Sequence, residues 1–171
     1  MGHSPARALL VLVVLALLGC SAPAVGDPVT WLPRQLGSAS LDFATHDAST
    51  WETRPVCACD VVIEQAGGDL EGGTVTQGAR TQGGLPGGSL LVTVLRARGA
   101  DPARMLEAMV THGQLEQLSR SEIALDGRSV TVLDLPAWTT GRAFLTTARD
   151  TLVLIQDASE ETAFEFIRAL P

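Results

Sequence analysis

Two cysteines separated by one residue form the only local cluster in this sequence with a recognisable chemistry. Cys57-Ala58-Cys59 could close a disulfide in an oxidising compartment, bind a metal through thiolates, or act in redox exchange. A thiolate metal site normally needs four ligands, whereas the chain holds only one further cysteine, Cys20. We therefore expect no metal site. The pair is interpreted either as two buried thiols acting as small hydrophobes or as a candidate disulfide between Cys57 and Cys59.

Other arrangements that could support catalysis are weak. His46 and Asp47 could act as a base and its orienting group near Ser40, but neighbouring residues of an extended segment point in opposite directions. The chain has no G-x-S-x-G nucleophile elbow. The glycine-rich residues 83–88 lack the Lys-Ser/Thr ending of a phosphate-binding loop. The sequence thus predicts no catalytic residue, no cofactor and no enzymatic activity.

The amino-terminal residues carry a targeting pattern. Residues 1–7 are polar and positively charged, and residues 8–18 form an apolar run well short of the ~20 residues that span a bilayer. The run leads into Leu17-Leu18-Gly19-Cys20. This pattern resembles the lipobox of bacterial lipoproteins cleaved by signal peptidase II, in which an aliphatic residue precedes the cysteine by three positions and a small residue precedes it directly. Leu18 departs mildly, since a smaller residue is commoner there.

The resemblance implies cleavage before Cys20, a diacylglyceryl thioether on its sulfur and often a further acyl chain such as palmitate. Two or three acyl chains anchor a protein lastingly, whereas one does not. We therefore expect a signal peptide over residues 1–19 and a lipidated Cys with a flexible spacer over residues 20–30. The expected location is a bacterial cell membrane or outer membrane, on the extracytoplasmic side.

The charge of the chain bears on its partners. The full chain has 12 basic and 19 acidic residues, and removing the signal peptide takes away Arg7 alone, so the mature charge is 11 − 19 = −8. A protein of this sign repels phosphate backbones and anionic head groups. Nucleic acid is therefore excluded as a partner, and attachment to the membrane must depend on the lipid at Cys20.

The remaining chain, residues 31–171, predicts one α+β domain. Asp101-Pro102 is a typical helix start, and Asp126-Gly127 is a strong turn signal between strands over residues 121–125 and 128–135. Further predicted elements follow the same periodicity arguments. They are strands over residues 38–45, 73–80, 88–98, 142–148 and 151–156, a closing helix over 159–170, and a helix over 56–66 for which a strand is the alternative.

These elements follow the order β-α-β-β-α-β-β-β-β-α. The order predicts a mainly antiparallel sheet with two or three helices packed on one face, and its rhythm suggests a degenerate internal duplication. Residues 152–155 are apolar on both faces, so this strand should be central and covered. In pattern, the domain resembles small secreted lipoprotein domains of unassigned function.

Two functions follow as expectations. The first is a non-enzymatic, lipid-anchored cell-envelope protein that binds a small ligand or an envelope protein. The alternative is a thiol-active envelope protein that uses Cys57 and Cys59 for redox chemistry or metal handling. Trp31, Trp51 and Trp138 could line a ligand groove, with packing in or beside the core as the other interpretation.

Overall fold

An antiparallel sheet organises the chain in the computed structural model, which describes residues 28–49, 58–80, 89–111, 113–135 and 141–171. The helices are α1 (Cys59–Gln65), α2 (Pro102–Thr111) and α3 (Glu160–Arg168). The strands are β1 (Gln35–Leu36), β2 (Ala39–Ser40), β3 (Phe43–Asp47), β4 (Asp69–Arg80), β5 (Leu90–Arg98), β6 (Arg120–Leu125), β7 (Arg128–Asp134), β8 (Arg142–Ala148) and β9 (Thr151–Gln156). Two 3₁₀ turns cover Pro28–Trp31 and Gly113–Gln117.

Seven strands form the main sheet in the order β3-β4-β5-β9-β8-β7-β6, and every neighbouring pair is antiparallel. Strands β1 and β2 form a separate two-stranded ribbon. The α+β class and the antiparallel sheet are confirmed. Strand β9 lies at the centre of the sheet with all six residues buried, as the apolar character of residues 152–155 predicts.

Two of the three helices share one face of the sheet, within the two or three that the sequence predicts for one face, and the third helix covers the opposite face. Helices α1 and α2 pack on the first face, named here the α1–α2 face, over a core that includes Met105 and Leu145. Helix α3 and the β1–β2 ribbon pack on the opposite face, named the α3 face, over a core that includes Phe144 and Phe166. The physical reason is that consecutive residues of β8 and β9 are both apolar, and consecutive side chains point to opposite faces.

The helix ends agree with the sequence signals. Asp101 Oδ1 accepts a hydrogen bond from the backbone N–H of Ala103 at 2.8 Å at the start of α2. Ser159 caps α3, accepting from the N–H of Thr162 at 3.2 Å. The segment predicted as helix over 56–66 contains α1, and Gly67 follows it with φ +77°, a conformation that suits glycine after a helix.

The predicted strand over residues 38–45 is divided into β2 and β3. Leu41, between them, is 4% exposed in the α3-face core, and its N–H donates to the carbonyl of Arg34 at 2.9 Å. The ribbon formed by β1 and β2 is thus separate from the main sheet, and Leu41 packs in the core between α3 and that sheet. The Asp126-Gly127 turn has φ +51° and +84°, as a type I′ hairpin requires. None of the helices in the described ranges has the length and apolar character needed to cross a membrane.

Candidate functional site

A groove of about 390 Å³ opens on the α1–α2 face, between α2 and the strands β6, β7 and β8. Helix α2 supplies its apolar wall through Ala103 and Leu106. The remaining lining side chains are polar and come from the sheet; they are Arg120 and Glu122 of β6, Ser129 and Thr131 of β7, and Thr147 of β8. The groove therefore has a helical wall and a polar floor.

Strand register brings the floor residues together. Glu122 lies directly opposite Thr131 in the β6–β7 pair, and Thr131 lies opposite Leu145 in the β7–β8 pair. Residues two apart on a strand share a face, so Ser129 lies on the same face as Thr131. Leu145 belongs to the α1–α2 core, which shows that the core and the groove floor are continuous along one row of the sheet.

Glu122 accepts hydrogen bonds from three of the other side chains that line the groove. Its Oε1 accepts hydrogen bonds from the Thr131 hydroxyl at 2.5 Å and from Arg120 Nη2 at 3.1 Å, and its Oε2 accepts from the Ser129 hydroxyl at 2.9 Å. Arg120 Nη1 reaches Glu107 Oε2 on α2 at 3.3 Å. The network thus joins the edge hairpin to the helix that forms the groove wall.

The network holds its charges at neutral pH. Burial opposes ionisation of Glu122, but the hydrogen bonds from Thr131, Ser129 and Arg120 outweigh it and lower the pKa of the carboxyl. The hydrogen bond to Glu122 is the largest of the effects that raise the pKa of Arg120. Together with Glu107, the groove and its rim carry one positive and two negative charges.

The hydroxyl groups of the floor are oriented by the carboxylate. An ionised carboxylate only accepts hydrogen bonds, so Ser129 and Thr131 must donate their protons to Glu122. Their oxygen lone pairs remain as acceptors. A ligand in the groove therefore meets acceptor oxygens from these hydroxyls and from the carboxylate.

A second depression, of about 510 Å³ and more open to solvent, lies beside the β1–β2 ribbon. Its lining consists of Arg34, Gln35, Ser40, Leu41 and Asp42, and the Arg34 guanidinium lies 5.5 Å from the centre of the Phe43 ring. This ribbon is part of the α3-face packing. We therefore regard the depression as a surface of the ribbon rather than as the leading site.

Asp47 and His46, the candidate catalytic pair, both lie at the end of the edge strand β3. Asp47 Oδ1 accepts from the backbone N–H of Ser49 at 2.9 Å and from its hydroxyl at 2.8 Å, an arrangement that closes a turn after β3. These hydrogen bonds, the backbone one foremost, lower the pKa of Asp47. His46 is exposed on the edge strand β3, opposite Val75.

Cys59 is the first residue of α1, is 1% exposed and is disulfide-bonded. It packs in the α1–α2 core with Val62 and Ile63. The other two cysteines, Cys20 and Cys57, lie outside the described residues, so the pairing of Cys57 with Cys59 stays a prediction, as does lipidation at Cys20.

Of the three tryptophans, Trp31 lies within the described residues. Trp31 is half-buried against the α3-face core, and the Arg149 guanidinium lies 5.7 Å from the centre of a Trp31 ring. This placement agrees with packing beside the core. Trp51 and Trp138 lie outside the described residues.

The groove residues were not singled out from the sequence, although a signal is present. Strand β6 places Arg120 and Glu122 on one face, and β7 places Ser129 and Thr131 on that same face. An adjacent pair of strands with charged or hydroxyl side chains at alternate positions, beside a covered central sheet, indicates a polar surface next to the core. The pattern becomes visible only when the two strands are aligned in register.

Comparison with family models, with curated proteins and with solved structures finds no match to this chain. Among the described residues, no group of three or more His, Cys, Asp or Glu is arranged to hold a metal ion. The groove is therefore assessed on its own geometry.

Proposed function

We propose that this protein is a lipid-anchored, non-enzymatic component of the bacterial cell envelope that binds a small ligand in the groove beside α2. The groove carries the proposal, because it combines a concave shape, an apolar wall and convergent polar groups, which are the usual features of a ligand site. The lipobox-like residues ending at Cys20 support the anchor and its extracytoplasmic side.

The described residues that follow the proposed spacer pack on the face opposite the groove. Leu32, Leu36 and Leu41, which follow the spacer, all pack in the α3-face core. The groove opens on the opposite face of the sheet. The described start of the domain therefore supports a groove that stays accessible in an anchored protein.

The anchor is tested with Cys20→Ala. Cells fed an alkyne analogue of palmitate should label the wild-type protein and return it in the membrane fraction. The variant should remain unlabelled and uncleaved, because both lipidation and cleavage need the cysteine. Labelling of Cys20→Ala at the wild-type level would contradict the anchor.

Ligand binding is tested by saturation-transfer NMR on the mature lipoprotein in detergent, mixed with the small-molecule fraction of an envelope extract. Ala103→Trp fills the groove from its helical wall, and Arg104→Trp places the same side chain at the next exposed position of α2. We expect transfer signals in the wild type and in Arg104→Trp but not in Ala103→Trp. Signals unaffected by Ala103→Trp would exclude the groove as the site.

The alternative, a thiol-active protein, has less support. The Cys59 side chain is disulfide-bonded and 1% exposed among apolar residues of α1. Reactive cysteines are accessible and lie in electropositive surroundings. We therefore interpret this disulfide as structural.

A further inference from the structure

We propose that the ligand of the groove carries a primary ammonium group at the end of an aliphatic chain. The inference rests on the proposed function and specifies the chemistry of its ligand. Three observations carry it: the acceptor character of the floor, the excess of negative charge, and the apolar wall.

The floor offers acceptors more than donors. Glu122 Oε1 already accepts from Thr131 and Arg120, whereas among the described residues Oε2 accepts from the Ser129 hydroxyl alone. A carboxylate oxygen has two lone-pair sites, so Oε2 retains one. The Ser129 and Thr131 hydroxyls, whose protons point to Glu122, add further lone pairs. An ammonium group, with three donors and no acceptor, complements this set.

The charge of the groove favours a cation. Arg120 is shared between Glu107 and Glu122, at 3.3 Å and 3.1 Å, which leaves one net negative charge across the three groups. The full chain also carries a net charge of −7, so its long-range field attracts cations and repels anions. A carboxylate or phosphate ligand would be repelled both by this field and by the Glu122 carboxylate at the floor.

The wall accommodates the hydrocarbon part of such a ligand. Ala103 and Leu106 line the groove from α2 on the side facing the polar floor. An alkyl chain can lie against these side chains while its terminal nitrogen reaches the floor, as the stems of lysine side chains do on protein surfaces. The apolar wall thus complements the alkyl chain of an alkylamine, and the polar floor complements its ammonium group.

Isothermal titration of the mature lipoprotein in detergent tests this with two probes of similar length and shape, pentane-1,5-diamine and pentane-1,5-diol. We expect saturable binding of the diamine at low salt, weakening as salt is added, and binding of the diol at least about tenfold weaker. Equal affinity for the two probes would overturn the requirement for an ammonium group.

Three variants locate the binding. Glu122→Gln should weaken diamine binding at least about tenfold, whereas Glu71→Gln, which removes the same charge from an exposed position on β4, should not change it. Thr147→Val removes a groove hydroxyl with little change in shape and should weaken binding a few-fold. Its unfolding midpoint shows whether the fold is intact, so the test stands even where Glu122→Gln fails to fold. Equal weakening by Glu71→Gln and Glu122→Gln would overturn the proposed contact.

Failure of this inference can be told apart from failure of the proposed function. If the diamine does not bind while an extract component still gives signals that Ala103→Trp abolishes, the groove binds a ligand of other chemistry and the ammonium proposal is wrong. If Ala103→Trp changes the binding of neither the diamine nor any extract component, the groove is not a binding site and both proposals are wrong.

Discussion

The hydroxyl of Thr131 on β7 donates a 2.5 Å hydrogen bond to the carboxylate of Glu122, which lies directly opposite it on β6. Cross-strand pairs of this kind stabilise the hairpin to which they belong. Here the pair also lies at the floor of the groove. The same contact therefore contributes to the stability of the edge hairpin and to the polarity of the candidate site.

Replacing Glu122 by Gln should destabilise the protein in a pH-dependent way. The folded protein lowers the pKa of Glu122 below its usual value of 4.5, so the ionised group stabilises the fold above that pH. This stabilisation is lost as the pH falls through the folded pKa. We expect Glu122→Gln to lower the free energy of unfolding by about 1 kcal/mol near pH 7, a modest loss because the side chain is 46% exposed.

Urea unfolding at about pH 7 and about pH 3 measures the effect. The difference between Glu122→Gln and the wild type should shrink at the lower pH. A difference that stays constant between the two conditions would argue against a role for the charge. Glu71→Gln, outside the groove, serves as the variant with a matched charge change.

Cavity-forming substitutions on the two faces should act independently. Met105 in the α1–α2 core and Phe166 in the α3-face core are both 0% exposed. We expect Met105→Ala to cost about 2–5 kcal/mol and Phe166→Ala about 3–5 kcal/mol. Because the sheet separates the two sites, the double variant should equal the sum within about 0.5 kcal/mol. Denaturant unfolding measures all three, and strong non-additivity would mean that the two cores are coupled through the sheet.

Gly127→Ala should destabilise the β6–β7 hairpin through its backbone alone. Gly127 has φ +84°, and a Cβ added there would meet no atom within 4 Å. The expected cost of about 1 kcal/mol thus comes from the left-handed conformation and not from a clash. Gly72→Ala is the matched control, because its Cβ would meet ordinary contacts from 3.6 Å outward. Thermal unfolding should show a clear loss for Gly127→Ala only.

The redox state of Cys59 can be read by alkylation and peptide mapping. Under denaturing, non-reducing conditions Cys59 should remain unmodified, and it should react after reduction. We expect the non-reduced map to join it to Cys57. If Cys20 is lipidated as we propose, its sulfur is blocked, so Cys20→Ala should keep the bond. Loss of the bond in that variant would instead identify Cys20 as the partner.

Most of the element order could be predicted because it depends on local signals. The Asp126-Gly127 turn, the Asp101 and Ser159 caps and the uniformly apolar strand β9 each specify their structure within a few residues. These signals need no knowledge of distant parts of the chain. Strand β8 carries apolar side chains at the consecutive positions Phe144 and Leu145, which point to opposite faces. Its sequence therefore also indicated that both faces of the sheet are covered.

The groove and the ribbon could not be predicted in the same way. The groove depends on the register that sets Glu122 opposite Thr131, and on α2 lying over β8 and β9 rather than over β6. The separate β1–β2 ribbon packs through Leu36, Ala39 and the adjacent Leu41 in the α3-face core, a contact with residues far away in the sequence. The groove and the ribbon both depend on contacts between residues far apart in the sequence. Local sequence patterns do not reveal such contacts before the strand register is known.

The central position of β9 has a consequence for how the chain acquires its structure. Residues 151–156 are the last strand of the described chain to emerge from the ribosome, yet they join β5 to β8 and so connect the two parts of the sheet. Until β9 has emerged, β5 and β8 each lack the strand that pairs with them in the folded sheet. The nascent chain therefore exposes two strand edges with unpaired backbone groups. Non-local pairing of this kind slows folding. The sheet therefore closes only once residues 151–156 are available to both of its parts.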